Sequence, residues 1–355
     1  MKQDLYIFSD TQLKRKDSTL LCETIARNGD LVDEETCSKD EFFLGENIII
    51  PTGDKKYIPI ESINSIFSFG TLHFNSRFLY FLSRFHIPLH VFNINGNYSG
   101  SFMPLRDSSS GHVLLSQIET YHDLEKRLKL AKVFASGAAF NMLSNLKYYN
   151  NRKADLSSTI DTIEKFGEKL KSASSINQLL GYEGNIRSVY FSAWQKIISI
   201  PIEFYRRTTR PPMDMINSLI SYGNVIVYSV CLNEIYKTYL YPEIGFLHQP
   251  SENKFPLSYD IAEIFKPLLT DRIIFKLFNK FILSENDFSY RNDFCYIKKK
   301  AKQTFIKEFD DKLNTIIKDR NDERNKTYKT IILNECNKIV KHLNGEQEYI
   351  PYKAY

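Results

Sequence analysis

Two periods of apolar residues divide this chain. As far as about residue 103, apolar positions come in short runs, at 5–8, 20–22, 47–50 and 89–94, cut by turn residues such as Pro51-Thr52-Gly53-Asp54. Such runs predict strands. Asn95-Gly96, between the run ending at Ile94 and the next at 98–102, predicts a hairpin turn, because both positions tolerate positive φ. Residues 75–85 depart from the pattern: Phe78, Leu79, Phe81 and Leu82 fall at helical spacing and predict a short helix. Residues 107–112 are small, polar and Gly-containing, which suits a linker. Beyond them the period is helical, first through Leu114, Leu115, Ile118, Tyr121 and Leu124 and on to Phe140, then at about 155–180, 182–200, 213–240, 258–285 and 300–343. Asn344-Gly345 ends the last helix as a C-cap does. The expected fold is α+β: a small N-terminal β-sandwich-like domain over 1–106, then a larger all-helical domain over 113–355.

Composition narrows this picture little. With 355 residues and 43% hydrophobic content, the chain is long enough for two domains with a sizeable core. A net charge of +5 permits a polyanionic partner without demanding one. Cys22, Cys37, Cys231, Cys295 and Cys336 are odd in number, scattered, and form neither CxxC nor a zinc spacing; free thiols in a reducing cytoplasm are expected. No apolar run approaches the ~20 residues of a membrane span. A soluble cytoplasmic protein is therefore expected, with no membrane partner.

Candidate chemistry rests on one imidazole and a few carboxylates. Glu183 sits in Gly181-Tyr182-Glu183-Gly184-Asn185-Ile186-Arg187, and reads as a first-turn acid paired to Arg187 or as a ligand. His248 closes Tyr241-Pro242-Glu243-Ile244-Gly245-Phe246-Leu247-His248 and reads as a capping residue or a ligand. His73, His86, His90, His112, His122 and His342 carry no such context and read as core or surface residues. Asp260 and Glu263, three apart, share one helix face while Ile261, Ile264 and Phe265 take the core side; such a face is either solvated or functional. Together these groups are what a protein offers Mg²⁺ or Mn²⁺. No Gly-x4-Gly-Lys-Ser/Thr loop occurs, nor any persuasive Ser/His/Asp or Cys/His arrangement.

The combined pattern resembles the CRISPR-associated integrase family of spacer acquisition, most closely its type I branch. Ile58-Pro59-Ile60, the 75–85 helix, Ile87-Pro88-Leu89-His90-Val91-Phe92 and Gly96-Asn97-Tyr98-Ser99-Gly100 resemble that family's β domain. Gln117 and Leu130-Ala131-Lys132 resemble the start of its helical domain. Glu183-Gly184-x-x-Arg187-x-x-Tyr190-Phe191 matches the segment of its first metal-binding Glu. Arg210-Pro211-Pro212-x-Asp214-x-x-Asn217-x-x-x-Ser221-Tyr222-Gly223 is the most specific block. It leads to Pro242-x-x-Gly245-Phe246-Leu247-His248 and Leu257-Ser258-x-Asp260-x-x-Glu263-x-Phe265-x-Pro267. Lys266 departs from the family's usual Arg, keeping charge but not a bidentate fork, and Ser116 replaces a common Lys or Arg.

Carried over, the resemblance implies Glu183, His248 and Glu263 as ligands of one Mn²⁺ or Mg²⁺. Asp260 stands close by, as a group orienting the histidine or a contact to DNA or a second ion, and which of Asp260 and Glu263 ligates directly is left open. The implied reaction is attack of a spacer 3′-hydroxyl on a phosphodiester at the edge of a CRISPR repeat, a metal-dependent transesterification. Double-stranded DNA is the implied substrate, and a homodimer bridged by the small CRISPR-associated partner is the implied assembly, with the β domain supplying the dimer contact. Arg187, Arg206, Arg207, Arg210 and Lys254 are the candidate DNA contacts, since they stand nearest the ligands and arginines beside Pro211-Pro212 have few local acids. Lys298–Lys300 and Lys326/Lys329 read as a solvated charged face, and Tyr190 is the one ring named as a base-stacking candidate. Two other readings remain: a structure-specific nuclease on branched DNA in repair or a mobile element, and a non-catalytic DNA-binding scaffold. Retention of all four site residues weighs against the scaffold.

Overall fold

The computed structural model describes residues 2–27, 49–106, 109–152, 154–201, 204, 206–250, 255–318 and 324–354. Contacts divide the chain into two compact units, Met1–Leu105 and Arg106–Tyr355.

In the first unit the expected runs lie in β1 (Gln3–Ile7), β3 (Thr19–Arg27), β4 (Ile49–Pro59), β7 (Leu89–Phe92) and β8 (Tyr98–Phe102), joined by β2 (Thr11–Lys16), β5 (Ile63–Ser68) and β6 (Leu72–His73), which the runs did not mark, with helix α1 (Ser76–Arg84) before β7. Pro51-Thr52-Gly53-Asp54, expected as a turn, lies inside β4, because pairing with β3 on both sides of it carries the strand through. Asn47 and Ile48 of the third apolar run lie outside the described residues. One sheet has the order β1-β5-β7-β8, its first three strands parallel and β8 antiparallel. The other has the order β4-β3-β2-β6. Both sheets and α1 share one core, in which Ile7, Leu13, Leu20, Ile66, Phe78, Phe81 and Leu89 are buried; each such side chain contributes roughly 1.5–3 kcal/mol. The helix expected over 75–85 forms, capped by Asn75 Oδ1 accepting the Phe78 N–H, and Gly96 takes φ +87° in the β7–β8 turn expected at Asn95-Gly96.

The second unit is mainly helical, but not all-helical as expected: two short antiparallel strand pairs interrupt it. It comprises α2 (Gly111–His122), α3 (Leu124–Asn150), α4 (Ser157–Ser172), α5 (Ile176–Ser192), α6 (Trp194–Ile197), α7 (Met215–Tyr236), α8 (Pro256–Phe265) and α9 (Arg272–Asn279). A hairpin of β9 (Phe288–Arg291) and β10 (Phe294–Ile297) precedes α10 (Lys299–Leu313), and β11 (Ile316–Lys318) with β12 (Asn325–Thr327) precedes α11 (Tyr328–Leu343). The long helix expected over 300–343 is thus broken by a short hairpin, while Gly345 at φ +75° follows its end as anticipated. Gly111 and His112, read as linker, already belong to α2, because Ser110 Oγ accepts the Val113 N–H at 3.3 Å and starts the helix there.

Helix α5 starts earlier than the expected boundary at about 182. Ser175 Oγ accepts the Gln178 N–H at 3.2 Å, so the cap lies at 175 and Glu183 sits in mid-helix, not in a first turn. Gly181 and Gly184 stay inside the helix at an exposed face with open space beside them; each costs about 1 kcal/mol against Ala but breaks nothing. Helix α7 is long and apolar enough to cross a membrane by length and composition, yet 72% of its most apolar stretch is buried in the helical unit. It is a core helix here.

The segment expected as one helix over 258–285 divides at Lys266-Pro267. Proline has no N–H and crowds the preceding turn, and the backbone passes through a π turn, Pro267–Asp271, closed by the Asp271 N–H donating to the Lys266 carbonyl at 3.1 Å. Such turns re-aim side chains near functional sites. Asn145 of α3 donates to the Pro267 carbonyl at 2.8 Å, tying the turn to the centre of the bundle.

Candidate active site

Three elements converge: α5, the loop 240–248, and α8 with its π turn. The loop is shaped around Asp260. One carboxylate oxygen accepts the Phe246 and Leu247 backbone N–H groups at 2.6 and 3.0 Å, and the other accepts the His248 N–H at 2.9 Å and lies 2.7 Å from His248 Nδ1. Asp260 is fully buried, and four donors replace the water it gives up. Gly245 lets the loop close, since a Cβ there would stand 2.7 Å from Pro256 Cβ and 2.9 Å from the His248 carbonyl. With Nδ1 donating to Asp260, a neutral His248 keeps its Nε2 lone pair free, and Nε2 lies 3.9 Å from Glu263 Oε1.

Glu263 is buried and takes Lys266 Nζ at 2.6 Å on one oxygen and Arg187 Nη2 on the other. Arg187 also donates through Nε to Glu183, one turn before it on α5. A single guanidinium therefore bridges the two glutamates. Lys266 is buried; desolvation lowers its pKa, opposed by the nearby Tyr228. Its ammonium sits over the Tyr228 ring at 4.7 Å, Tyr228 packs edge-on against Tyr259 at 4.4 Å, and Tyr259 meets the His248 ring at 5.9 Å. Tyr228 and Tyr259 carried no sequence signal, because a tyrosine in an apolar helix looks the same whether it faces the core or a site.

Tyr190 does not stack on anything outside the protein. It is fully buried, accepts from Asn145 Nδ2 and donates to Asp271 Oδ2, both at 3.0 Å. It shares Arg187's face of α5, and that face turns inward at Tyr190. Burial pushes the Asp271 carboxyl up to about 7, against the Tyr190 hydrogen bond and the nearby Arg187, Lys266 and Arg207.

The candidate DNA contacts separate by environment. Arg206 and Arg210 are exposed, and Lys254 lies outside the described residues. Arg207 is half-buried and already satisfied, though not by acids: it donates to Asn217 Oδ1 and Ser221 Oγ, each at 2.8 Å, and to the Asn217 carbonyl at 3.1 Å. Burial lowers its pKa to about 10. Arg207 therefore holds the loop before α7 onto that helix. Arg207→Ala is expected to cost about 2 kcal/mol by leaving its partners unmade. Arg210→Ala is expected to leave the melting temperature unchanged and to reduce the salt slope of DNA binding by about one. Thermal melts and salt titrations of the two variants check both.

As donors, Glu183, Glu263 and His248 Nε2 fit an oxygen-preferring divalent cation, and Asp260 behind Nδ1 is the orienting carboxylate such histidines use. Among the described residues no three His, Cys, Asp or Glu side chains stand grouped tightly enough to hold an ion as they are; Arg187 and Lys266 are drawn onto the carboxylates instead.

A family model described as "CRISPR associated protein Cas1" matches residues 37–311. The chain belongs to the Cas1 family. Among curated Cas1 proteins, the CRISPR-associated endonuclease Cas1 of Fusobacterium nucleatum is 38% identical over 355 residues, covering 100% of this chain and 97% of the other. Among solved structures, a Cas1 protein of Thermotoga maritima superimposes with a TM-score of 0.81 at 33% identity, over 99% of this chain and 100% of that one. A casposase bound to integration product shares the fold, with a TM-score of 0.81 at 20% identity over 99% of this chain and 93% of that one. The Cas1 architecture, strand-rich N-terminal part and larger helical part, is the α+β fold expected from the hydrophobic pattern.

Proposed function

We propose that this Cas1-family chain is a metal-dependent DNA endonuclease and integrase of CRISPR adaptation, joining the 3′-hydroxyl of a spacer DNA to a phosphodiester at a repeat boundary. The observation that carries the reading is the convergence of Glu183, Glu263 and His248 Nε2 in front of Asp260. Both Asp260 oxygens are committed to backbone N–H groups and His248. Glu263 is therefore assigned as a ligand of Mg²⁺ or Mn²⁺ with Glu183 and His248, and Asp260 as the residue that orients the imidazole. Bound there, the ion would supply Lewis-acid polarisation of the scissile phosphate and ease departure of the 3′-oxygen. The protein's share is to hold His248 in one tautomer, to exclude water around Glu263, and to keep Arg187 and Lys266 as cations beside an incoming phosphate. Such a transesterification needs no protein nucleophile. Double-stranded DNA is the substrate, contacted by exposed Arg206 and Arg210. The assembly proposed is a homodimer joined through the β unit and bridged by the small CRISPR-associated partner.

A strand-transfer assay tests this. Labelled duplexes with free 3′-hydroxyls are incubated with Mn²⁺, the partner protein and a supercoiled plasmid carrying the repeat. Wild type is expected to join label to plasmid, and His248→Ala and Glu263→Ala to lose at least about 10³-fold of that rate, since the lost interactions act on the charge of the transition state. Cleavage of branched DNA without joining would move the reading to a structure-specific nuclease. DNA binding with no reaction on any substrate would leave a scaffold.

A further inference from the structure

The β9–β10 hairpin carries a feature that the site does not use. Asn292 and Asp293 both take positive φ, 45° and 65°, so a two-residue turn pins the strand register. That register sorts the side chains into two faces. Phe288, Cys295 and Ile297 face inward and are buried, with Phe288 stacked on Phe278 of α9. Ser289, Arg291, Phe294 and Tyr296 face outward. The Phe294 and Tyr296 rings lie nearly parallel on this outer face, 19° apart with centroids at 5.6 Å, and Phe294 is 38% exposed. Arg291 stands opposite Phe294 in the register.

The hairpin is also fixed in place. The Cys295 N–H donates to the Pro212 carbonyl at 3.0 Å, and Ser218 Oγ donates to the Cys295 carbonyl at 2.5 Å. It is thereby anchored to the loop that exposes Arg210 and to the first turn of α7. Lys298, Lys299 and Lys300, all exposed, follow it directly; the nearby acids are Asp293 at the tip, Glu285 and Asp287 just before β9, and Asp214 at the start of α7.

We propose that the outer face of this hairpin is a stacking platform for single-stranded DNA, the unpaired end of a substrate. The inference rests on the reading of the chain as a DNA enzyme. Aromatic faces take any base, and neighbouring cations take the phosphates, which is how proteins hold single strands without reading sequence. The lysines that follow the hairpin, and Arg291 on its outer face, set cations where phosphates of a strand stacked on the rings would pass. The reach is suitable: Ser218 precedes Tyr228 by ten residues on α7, so platform and site are separated by about 15 Å of helix.

The test is binding of a labelled oligo(dT) to the full-length protein in EDTA. No turnover is involved, so a failure of the integrase reading and a failure of the platform are read separately. Phe294→Ala and Tyr296→Ala are each expected to weaken binding roughly tenfold, with far-UV circular dichroism and melting unchanged, and Phe294→Trp to retain it. Lys299→Gln and Lys300→Gln are each expected to lower the salt slope by about 0.7. Photo-cross-linking of an iododeoxyuridine-containing strand is expected to map to Tyr296 or Phe294, a readout that does not depend on the variants folding. Wild-type affinity in the alanine variants, or cross-links confined elsewhere, overturns the platform. Loss of affinity that follows dissociation of copies in sedimentation also overturns it, and marks this face as a contact between copies.

Discussion

Asp260→Ala is expected to lower stability by about 3–5 kcal/mol, the range for removing a buried charged acceptor whose donors stay behind. Three backbone N–H groups, of Phe246, Leu247 and His248, and the His248 ring all turn on this one carboxylate. Without it those N–H groups lose their acceptor, and the loop keeps its ties to Gln117, at Tyr241 and Ile244, and to Arg127, at the Phe246 carbonyl. The melting temperature should fall by on the order of 10 °C. Asp260→Asn should fall between, since one of its atoms becomes an NH₂ aimed at groups that themselves donate. Circular dichroism melts of both variants measure this, and a melting point for Asp260→Ala within a degree or two of wild type would show that the loop is held by other contacts.

The second large effect concerns Arg187. Its guanidinium joins Glu183 and Glu263, with side chains only 16% and 5% exposed. In metal-free buffer, Arg187→Met leaves two carboxylates facing each other with Lys266 as the remaining cation, and a loss of about 3 kcal/mol is expected. Mn²⁺ should then take over the role of the missing arginine. At a concentration near 100 times its dissociation constant it stabilises by about 2.7 kcal/mol. Arg187→Met should therefore gain more from Mn²⁺ than wild type does, because in wild type the ion must first displace an arginine. Melts with EDTA and with Mn²⁺ give the comparison. Equal gains in both proteins would remove Arg187 as a competitor, and no gain in either would remove the metal site.

Short-range features of the chain were legible. The Asn95-Gly96 turn, the short helix over 75–85 and the Gly345 stop after α11 each depend on residues within a few positions of one another. Features that depend on competition between neighbours were not. A helix was expected to begin at about 182, but a serine cap at 175 and packing of the inner face of α5 carry it through Gly181 and Gly184. Lys266-Pro267 sits within a helical pattern, yet the missing proline N–H turns it into a π segment whose carbonyl is taken up by Asn145, 122 residues away in sequence. Tyr190 looked available because its helix face was judged from Arg187 alone; only the fold shows Asp271 and Asn145 waiting beneath it.

The same division runs through the candidate site. The types of side chain it uses, two glutamates, an aspartate and one histidine, and the order in which they come were written in the sequence. So was the likeness of their surroundings to one family. Which aspartate oxygen is spent on which N–H, and that one arginine serves both glutamates, were decided by the tertiary structure alone. The physical reason is that a polar group's role depends on which other groups lose water together with it. Residues 183, 248, 260 and 263 lose it together only when α5, the 240–248 loop and α8 have been brought against one another.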